Sequence, residues 1–266
     1  MLTIQNYVRA GSLEQAYELN QNRRNRVLGG MLWLNLTSLT VPTAIDLCRL
    51  GLNTIEETAE EFSIGAMATL RQLELHPGLN RETQGSAARA VEHIGGVQLR
   101  NMATVGGSIF GRFGFSDVLT LFLALDSYVE LYQGGVVPLE TFAGMGRDRD
   151  ILVRLIVKKR PVRCAYQSAR NSRTDFPSLT CAVSRAEGEY RAVIGARPGR
   201  AMVLRDGEGI LEHGITGESA RAFAAFAAER VPTGGNLRGS AAYRTRLVRV
   251  LTRRALEELG GLNGGT

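Results

Sequence analysis

Short stretches of alternating apolar and polar residues, separated by runs with helical spacing, organise this 266-residue chain. Ser12 followed three residues later by Gln15 is a capping-box pattern, which predicts that SLEQAYELNQN becomes helical from about residue 13. A short apolar strand, RVL at 26–28, then runs into Gly29-Gly30. After TAIDL, the alternating stretches NTIEET and EFSIGA predict paired strands, and TLRQLEL predicts a short helix. Residues 81–94 fit a helix with Ala87, Ala88, Val91 and Ile94 along one side. The next run, RNMATVGGSI at 100–109, alternates like a strand yet is broken by Gly106 and Gly107, the residue type that stabilises a strand least.

Further along, Ser116 is placed to cap a helix DVLTLFLAL, and SYVELY predicts the next strand. The connection QGGVVPLETFAGMGRDRD leads to a strand ILVRLIV, and VKKRPVRC reads as a seam where charge and proline end the pattern. AYQSAR, LTCAVSRA and YRAVIGA then predict strands, ESARAFAAFAAERV and SAAYRTRLVRVLTRRALEEL two helices. Runs of strands followed by runs of helices predict an α+β fold, and the length suits two domains.

Composition narrows the function classes. With 44% hydrophobic and 22% charged residues the chain has material for a core and no sign of wholesale disorder. No apolar run approaches the ~20 residues that span a bilayer, and the N-terminus lacks a signal-peptide profile, so the expectation is a cytoplasmic protein with no membrane partner. Cys48, Cys164 and Cys181 are far apart with no CxxC, and His76, His93 and His213 form no ligand pair. Buried free thiols and no metal are therefore expected. The net charge of +6 comes almost wholly from arginine, since Lys158 and Lys159 are the only lysines. Helical spacing puts Arg246, Arg249 and Arg253 on one face; a solvated face is the expected reading, with no nucleic-acid partner, and an arginine-rich RNA binder is the alternative.

Two places interrupt apolar runs with Gly-Gly, RVLGGMLWLN and MATVGGSIF. Such interruptions belong where the backbone turns sharply or where something approaches it closely. One reading is a pair of ligand-free bulges or turns. The other is a concave array of backbone N–H groups, joined by a hydroxyl such as that of Thr104 or Ser108, that suits a pyrophosphate. GMGRDR at 144–149 reads as a turn, since GxGxxG, a P-loop and a GxSxG elbow are all missing from the chain. What remains is a candidate binder of a phosphate-bearing cofactor that carries no nucleophile of its own.

In order along the chain, YVRAGSLEQAYEL, VLGGMLWL, SIGAMATLRQLE, LRNMATVGGSIFGRFGFSD, LALDSYVEL and LRGSAAYRTRLVRVLTRRAL resemble the FAD-binding medium subunit of the xanthine dehydrogenase family of molybdenum hydroxylases, which includes that of carbon monoxide dehydrogenase. The resemblance implies a two-lobed PCMH-type FAD-binding domain over residues 1–160, its subdomains split near 53–60. An α+β C-terminal domain with an antiparallel sheet and helices would follow over 161–260, and a flexible tail over 261–266. It implies that the first loop, Val27, Leu28, Gly29, Gly30, Met31, Leu32, Trp33 and Leu34, holds the FAD pyrophosphate. Thr104, Val105, Gly106, Gly107 and Ser108 would form the other half of the cradle, and Asp117 would accept from cofactor hydroxyls. Ile94 and Leu152 would pack against FAD, and Gln167 would lie near the flavin.

Three departures stand out: Met31 where the family has Thr or Ser, Gln167 where many members have lysine, and SIFGRFGFS where small residues are usual. No catalytic acid or base is expected, because the protein's part is to bind and tune the flavin. By the same resemblance, electrons reach FAD from [2Fe–2S] clusters of a small subunit, fed by a large molybdopterin-binding subunit, and leave to NAD or another acceptor. Three scattered cysteines cannot ligate such clusters, so iron and sulfur belong to the partner. The alternatives are a flavin-less structural subunit and a stand-alone PCMH-type flavin reductase resembling UDP-N-acetylmuramate dehydrogenase.

Overall fold

A computed structural model describes residues 1–262; residues 263–266, most of the expected tail, lie outside the described residues. The chain opens with β1 (Thr3–Arg9) and α1 (Leu13–Asn20), the latter capped by Ser12, whose hydroxyl accepts from the Gln15 N–H. β2 (Arg26–Leu28), a 3-10 turn (Leu34–Leu36) and β3 (Thr40–Asp46) follow. The three strands form a parallel sheet in the order β1-β3-β2. Crossover connections are what parallel strands require, and α1 supplies one. The site's first glycine pair sits where β2 leaves this sheet.

A second sheet uses strands from both ends of the next stretch. In chain order this comprises β4 (Ile55–Glu57), β5 (Glu61–Gly65), α2 (Leu70–Leu75), α3 (Pro77–Glu82), α4 (Ser86–Val91), α5 (Val97–Met102), α6 (Val105–Phe110), α7 (Asp117–Leu123), β6 (Ser127–Leu131), β7 (Gly135–Pro138), α8 (Leu139–Gly144) and β8 (Leu152–Lys158). The strands pair antiparallel in the order β4-β5-β8-β6-β7. Thr69 and Gln72 form a reciprocal capping box at the start of α2, the short helix that TLRQLEL predicts.

Two expectations are corrected here. The helix over 81–94 is broken, because Gln84 and Gly85 are both left-handed (φ 48° and 80°). The break has a use: the Gln84 amide bonds the Val162 carbonyl and the Cys164 N–H, docking the neighbouring strand. The strand expected at 100–109 is instead the end of α5, a turn at Ala103 and Thr104, and all but the last residue of α6. Thr104 is extended, and its hydroxyl accepts from the Gly107 N–H, so the two glycines occupy the first turn of a helix rather than a strand.

The last part builds a four-stranded antiparallel sheet from β9 (Val162–Arg170), β10 (Pro177–Ala186), β11 (Glu189–Gly195) and β12 (Met202–Arg205), in the order β12-β11-β10-β9. It ends with α9 (Gly217–Arg230) and α10 (Ala241–Leu259). Alternate residues of β10 and β11 pack into different cores. Cys181, Val183, Ala192 and Ile194 join Phe223 and Leu256 of the two helices, whereas Ala182 and Val193 join Phe122 and Val118 of α7. Both faces of this sheet are covered, which is why β10 is buried over most of its length. The whole is a mixed α+β fold with three sheets. No helix among the described residues is long and apolar enough to cross a membrane.

Candidate functional site

The first glycine pair lies where the chain leaves β2, and its two members do different work. A β-carbon on Gly30 would stand 1.9 Å from the Met102 carbonyl oxygen, so this glycine lets the loop press against the end of α5. Met31 takes a left-handed conformation (φ 58°), and its side chain packs against Leu28, Val41 and Ala44 at the first sheet. Alternation of right- and left-handed residues turns successive N–H groups toward one side of a chain. Among the described residues, no acceptor receives the backbone N–H of Gly29, Gly30, Met31 or Leu32. These four donors, all on half-buried residues, are available to a ligand.

The second pair is spent differently. The N–H groups of Val105 and Gly106 bond the Ala68 and Ala66 carbonyls, both at 2.8 Å, and those of Gly107 and Ser108 bond Thr104 Oγ1 and the Thr104 carbonyl, both at 3.1 Å. A β-carbon on the buried Gly106 would meet the Ala66 carbonyl oxygen at 2.6 Å. One on the exposed Gly107 would meet only Thr104 Oγ1, at 3.1 Å. The loops touch at Thr104, since a β-carbon on Gly29 would lie 2.8 Å from its Oγ1 and 3.8 Å from the Gly107 α-carbon. The second loop is thus a floor with its amides already satisfied, while the first holds the unpaired donors.

Between them runs a cleft lined by Val27, Leu28, Gly29, Thr104, Gly106, Gly107 and Leu152. Of the residues singled out from the sequence, these seven come together. Met67, Phe110, Asp150 and Ile151 also line the cleft, and sequence reasoning missed them. The flanking GRDRD carried a signal for Asp150 as an acid after a glycine turn; Met67 and Ile151 look like ordinary core residues until the chain is folded.

The other candidates lie elsewhere. Val105 is buried in the main core, and Ile94 packs at that core's edge. Ser108 donates its hydroxyl to the Thr104 carbonyl. Gln167 donates to Glu258 at 2.7 Å, and Glu258 also pairs with Arg89, so the glutamine ties β9 to α10. Leu34 joins the cluster around Leu28, and Trp33 packs on phenylalanine rings. Cys164 and Cys181 are buried, and burial pushes both thiols up to about 12, which leaves them unreactive.

Asp117 starts α7 and is almost wholly buried. Its Oδ1 accepts from the Tyr166 hydroxyl and from the Arg170 guanidinium, both on β9; Oδ2 takes no bond from another residue among those described. Burial pushes this carboxyl up to about 6, against the pull of Arg170 and of the Tyr166 hydroxyl. It is therefore ionised at pH 7. The folded-state value lies above the ordinary 3.8, so the native protein holds the proton where the unfolded chain releases it. Stability should accordingly fall as pH rises from about 4 to about 6, by up to about 3 kcal/mol from this group. Urea titrations across that window should show the slope in wild type and its loss in Asp117→Asn; equal slopes would refute the assignment.

The family described as “FAD binding domain in molybdopterin dehydrogenase” matches residues 2–159. The chain belongs to this family, that of the FAD-binding medium subunits of molybdopterin dehydrogenases. Among its relatives, the “Uncharacterized protein YgfM” of Escherichia coli strain K12 is 28% identical over 256 residues, with 93% of each chain covered. The nicotine 6-hydroxylase medium subunit of Paenarthrobacter nicotinovorans is 26% identical over 275 residues, with 96% of each covered. Among solved structures, a chain of carbon monoxide dehydrogenase from Hydrogenophaga pseudoflava matches with a TM-score of 0.85 at 24% identity, over 97% of both chains. At that identity the last match speaks for the fold.

Proposed function

We propose that this chain holds FAD and serves as the electron-transfer subunit of a molybdenum hydroxylase complex. The observation that carries the reading is the run of four unpartnered backbone N–H groups at residues 29–32, in a loop that touches the second glycine pair at Gly29. Such an array suits the oxygens of an anion such as a pyrophosphate, because it offers donors in succession without a charged side chain. Val27, Leu28 and Leu152 would then line the apolar wall of the cleft beside it. When bound, the flavin supplies the redox chemistry that no side chain here can; the chain's own residues bind it, orient it and shield it from water.

Residues 1–160 form the FAD-binding part in this reading, two-lobed with the split near 53–60, and residues 161–260 the C-terminal part. A small [2Fe–2S] subunit and a large molybdopterin-binding subunit are the partners, the acceptor is NAD or another oxidant, and the compartment is the cytoplasm. The departures at Met31 and Gln167 leave the cleft open: the first side chain packs against the β1-β3-β2 sheet and the second is held by Glu258. Asp117 enters the reading only through Oδ2, which takes no bond from another residue among those described.

Purified protein should absorb near 450 nm, or take up FAD on reconstitution. Gly107→Val should weaken FAD at least about tenfold, because the branched side chain would project into the cleft that Gly107 lines, with thermal stability close to wild type. Full flavin occupancy in that variant, or a wild-type chain that never takes up FAD, would sink the proposal.

A further inference from the structure

A second cavity, of about 110 Å³, opens where the β4-β5-β8-β6-β7 sheet and its helices meet the C-terminal sheet, and it shares no lining residue with the glycine cleft. Phe62 of β5, Leu79 of α3, Leu125 just beyond α7 and Val157 of β8 give it an apolar wall. Ser184 of β10 and Arg191 of β11 come from the other sheet. β8 spans the distance between the two sites: Leu152 lines the cleft and Val157 the cavity, about 17 Å further along the strand.

Strand register sets the charge of this cavity. Ser184 is opposite Arg191 across β10 and β11, and Arg191 is opposite Arg205 across β11 and β12, so the three side chains share one face of the sheet. It is the face turned to the end of α7, where Ser184 donates to the Ala124 carbonyl and Arg191 Nη1 to those of Leu125, at 3.2 Å, and Leu123, at 3.5 Å. Like charges directly opposite one another are destabilising. Arg205 is relieved by Glu140, and of the other cations on the wall Lys158 pairs with Glu61 and Arg160 with Asp126 and Glu187. Arg191 has no carboxylate partner among the described residues, and its Nε and Nη2 bond no other residue among them.

The unused edge of that guanidinium is a fork that takes a carboxylate by two parallel hydrogen bonds. Tethered through Nη1, it is fixed before a ligand arrives, whereas Glu82 and Glu189, the acids on the wall without an ion pair among the described residues, have no side-chain bond to hold them. We infer that this cavity is a second binding site, for a small carboxylate that takes the Nε and Nη2 edge of Arg191 and lays a short apolar body against Phe62, Leu79, Leu125 and Val157. Clefts where parts of a fold meet, with apolar walls and a few fixed polar groups, are common ligand sites. A cavity of about 150 Å³ takes benzene, so a ligand of about five or six non-hydrogen atoms suits this one. The site is independent of the FAD reading.

The test titrates isobutyrate, a carboxylate of that size, into the isotope-labelled full-length chain and follows the amide resonances by NMR. Shifts should saturate with a Kd near or below about 1 mM and centre on Leu125, Val157 and Arg191. Isobutyramide, with the same shape and no charge, should bind at least about tenfold more weakly, and so should isobutyrate to Arg191→Met. Because Arg191 also holds the end of α7, a second variant leaves it in place: Ala186→Leu fills the cavity and should abolish the shifts, with thermal stability close to wild type. The proposal is overturned if isobutyrate gives no saturating shift, or if either variant, once shown to be folded, binds it like wild type. It is overturned equally if the amide or inorganic phosphate binds as tightly, since the fork or the apolar wall would then play no part. Isobutylamine binding in place of isobutyrate would hand the site to Glu82 and Glu189 and refute the role of Arg191.

Discussion

Replacing Arg244 by alanine is expected to cost at least about 4 kcal/mol of folding stability. The side chain is the largest among those fully buried, and among the described residues no carboxylate is paired with it. Its guanidinium donates to the carbonyls of Ser178, at 2.8 Å, and Gly234, at 2.9 Å, to that of Gly239, and to Asn236 Oδ1 at 2.6 Å. These acceptors belong to the start of β10 and to the loop that enters α10, so one planar fork closes the loop over the sheet. Removing it leaves buried carbonyls without donors and a cavity besides. Urea denaturation should show the loss. Arg244→Lys should recover only a minor share, because an ammonium cannot address four acceptors spread across a plane. A cost below about 1 kcal/mol for the alanine variant would mean that water satisfies the loop equally well.

The same residue shows where sequence reading reached its limit. In the run of arginines from 244 to 254, spacing alone puts Arg246, Arg249 and Arg253 on one face, and nothing marks Arg244 as buried. What buries it is a set of carbonyls from residues 178, 234 and 239, which only the folded chain brings together. The α+β order, the paired strands at Ile55–Glu57 and Glu61–Gly65, and the helices capped by Ser12 and Ser116 were legible because each rests on local chemistry. The segment 103–109 was not. Val105 and Ile109 are four apart, so they share a face both in a strand and in a helix, and the pattern cannot choose between them. The Thr104 hydroxyl makes the choice by capping α6.

Asp117 shows the same limit from the other side: its partners Tyr166 and Arg170 stand 49 and 53 residues further on. The parallel strands β1 and β3 were passed over because a half-exposed, three-stranded sheet leaves little apolar signal in either strand. In the site itself, the two Gly-Gly pairs were readable as places of close approach. What approaches was not readable, and that difference sets the next expectation.

Gly30→Ala should destabilise the protein by at least about 3 kcal/mol, and Gly106→Ala by somewhat less, before any ligand is considered. At Gly30 the new β-carbon would stand 1.9 Å from the Met102 carbonyl oxygen and 2.5 Å from its carbon, both backbone atoms at the end of α5 that no rotamer can move aside. The first loop would have to lift off α5, carrying its four free donors out of line with the floor. At Gly106 the clash is with the Ala66 carbonyl oxygen at 2.6 Å, the acceptor of the Gly106 N–H itself, so relief of the clash breaks that bond. Gly29→Ala meets the Thr104 hydroxyl at 2.8 Å, and displacing it weakens the cap of α6, at a cost of about 1 kcal/mol. Gly107→Ala meets it at 3.1 Å in an ordinary helical backbone, where alanine is favoured over glycine by up to about 1 kcal/mol. Thermal melts of the four flavin-free variants should therefore rank Gly30→Ala lowest, then Gly106→Ala, then Gly29→Ala, with Gly107→Ala near wild type. FAD affinity should separate the last two from wild type instead, because their β-carbons project where the two loops face each other. A Gly30→Ala protein that melts with wild type would show that the loops do not touch as described, and the division between structural and cofactor-facing glycines would fall with it.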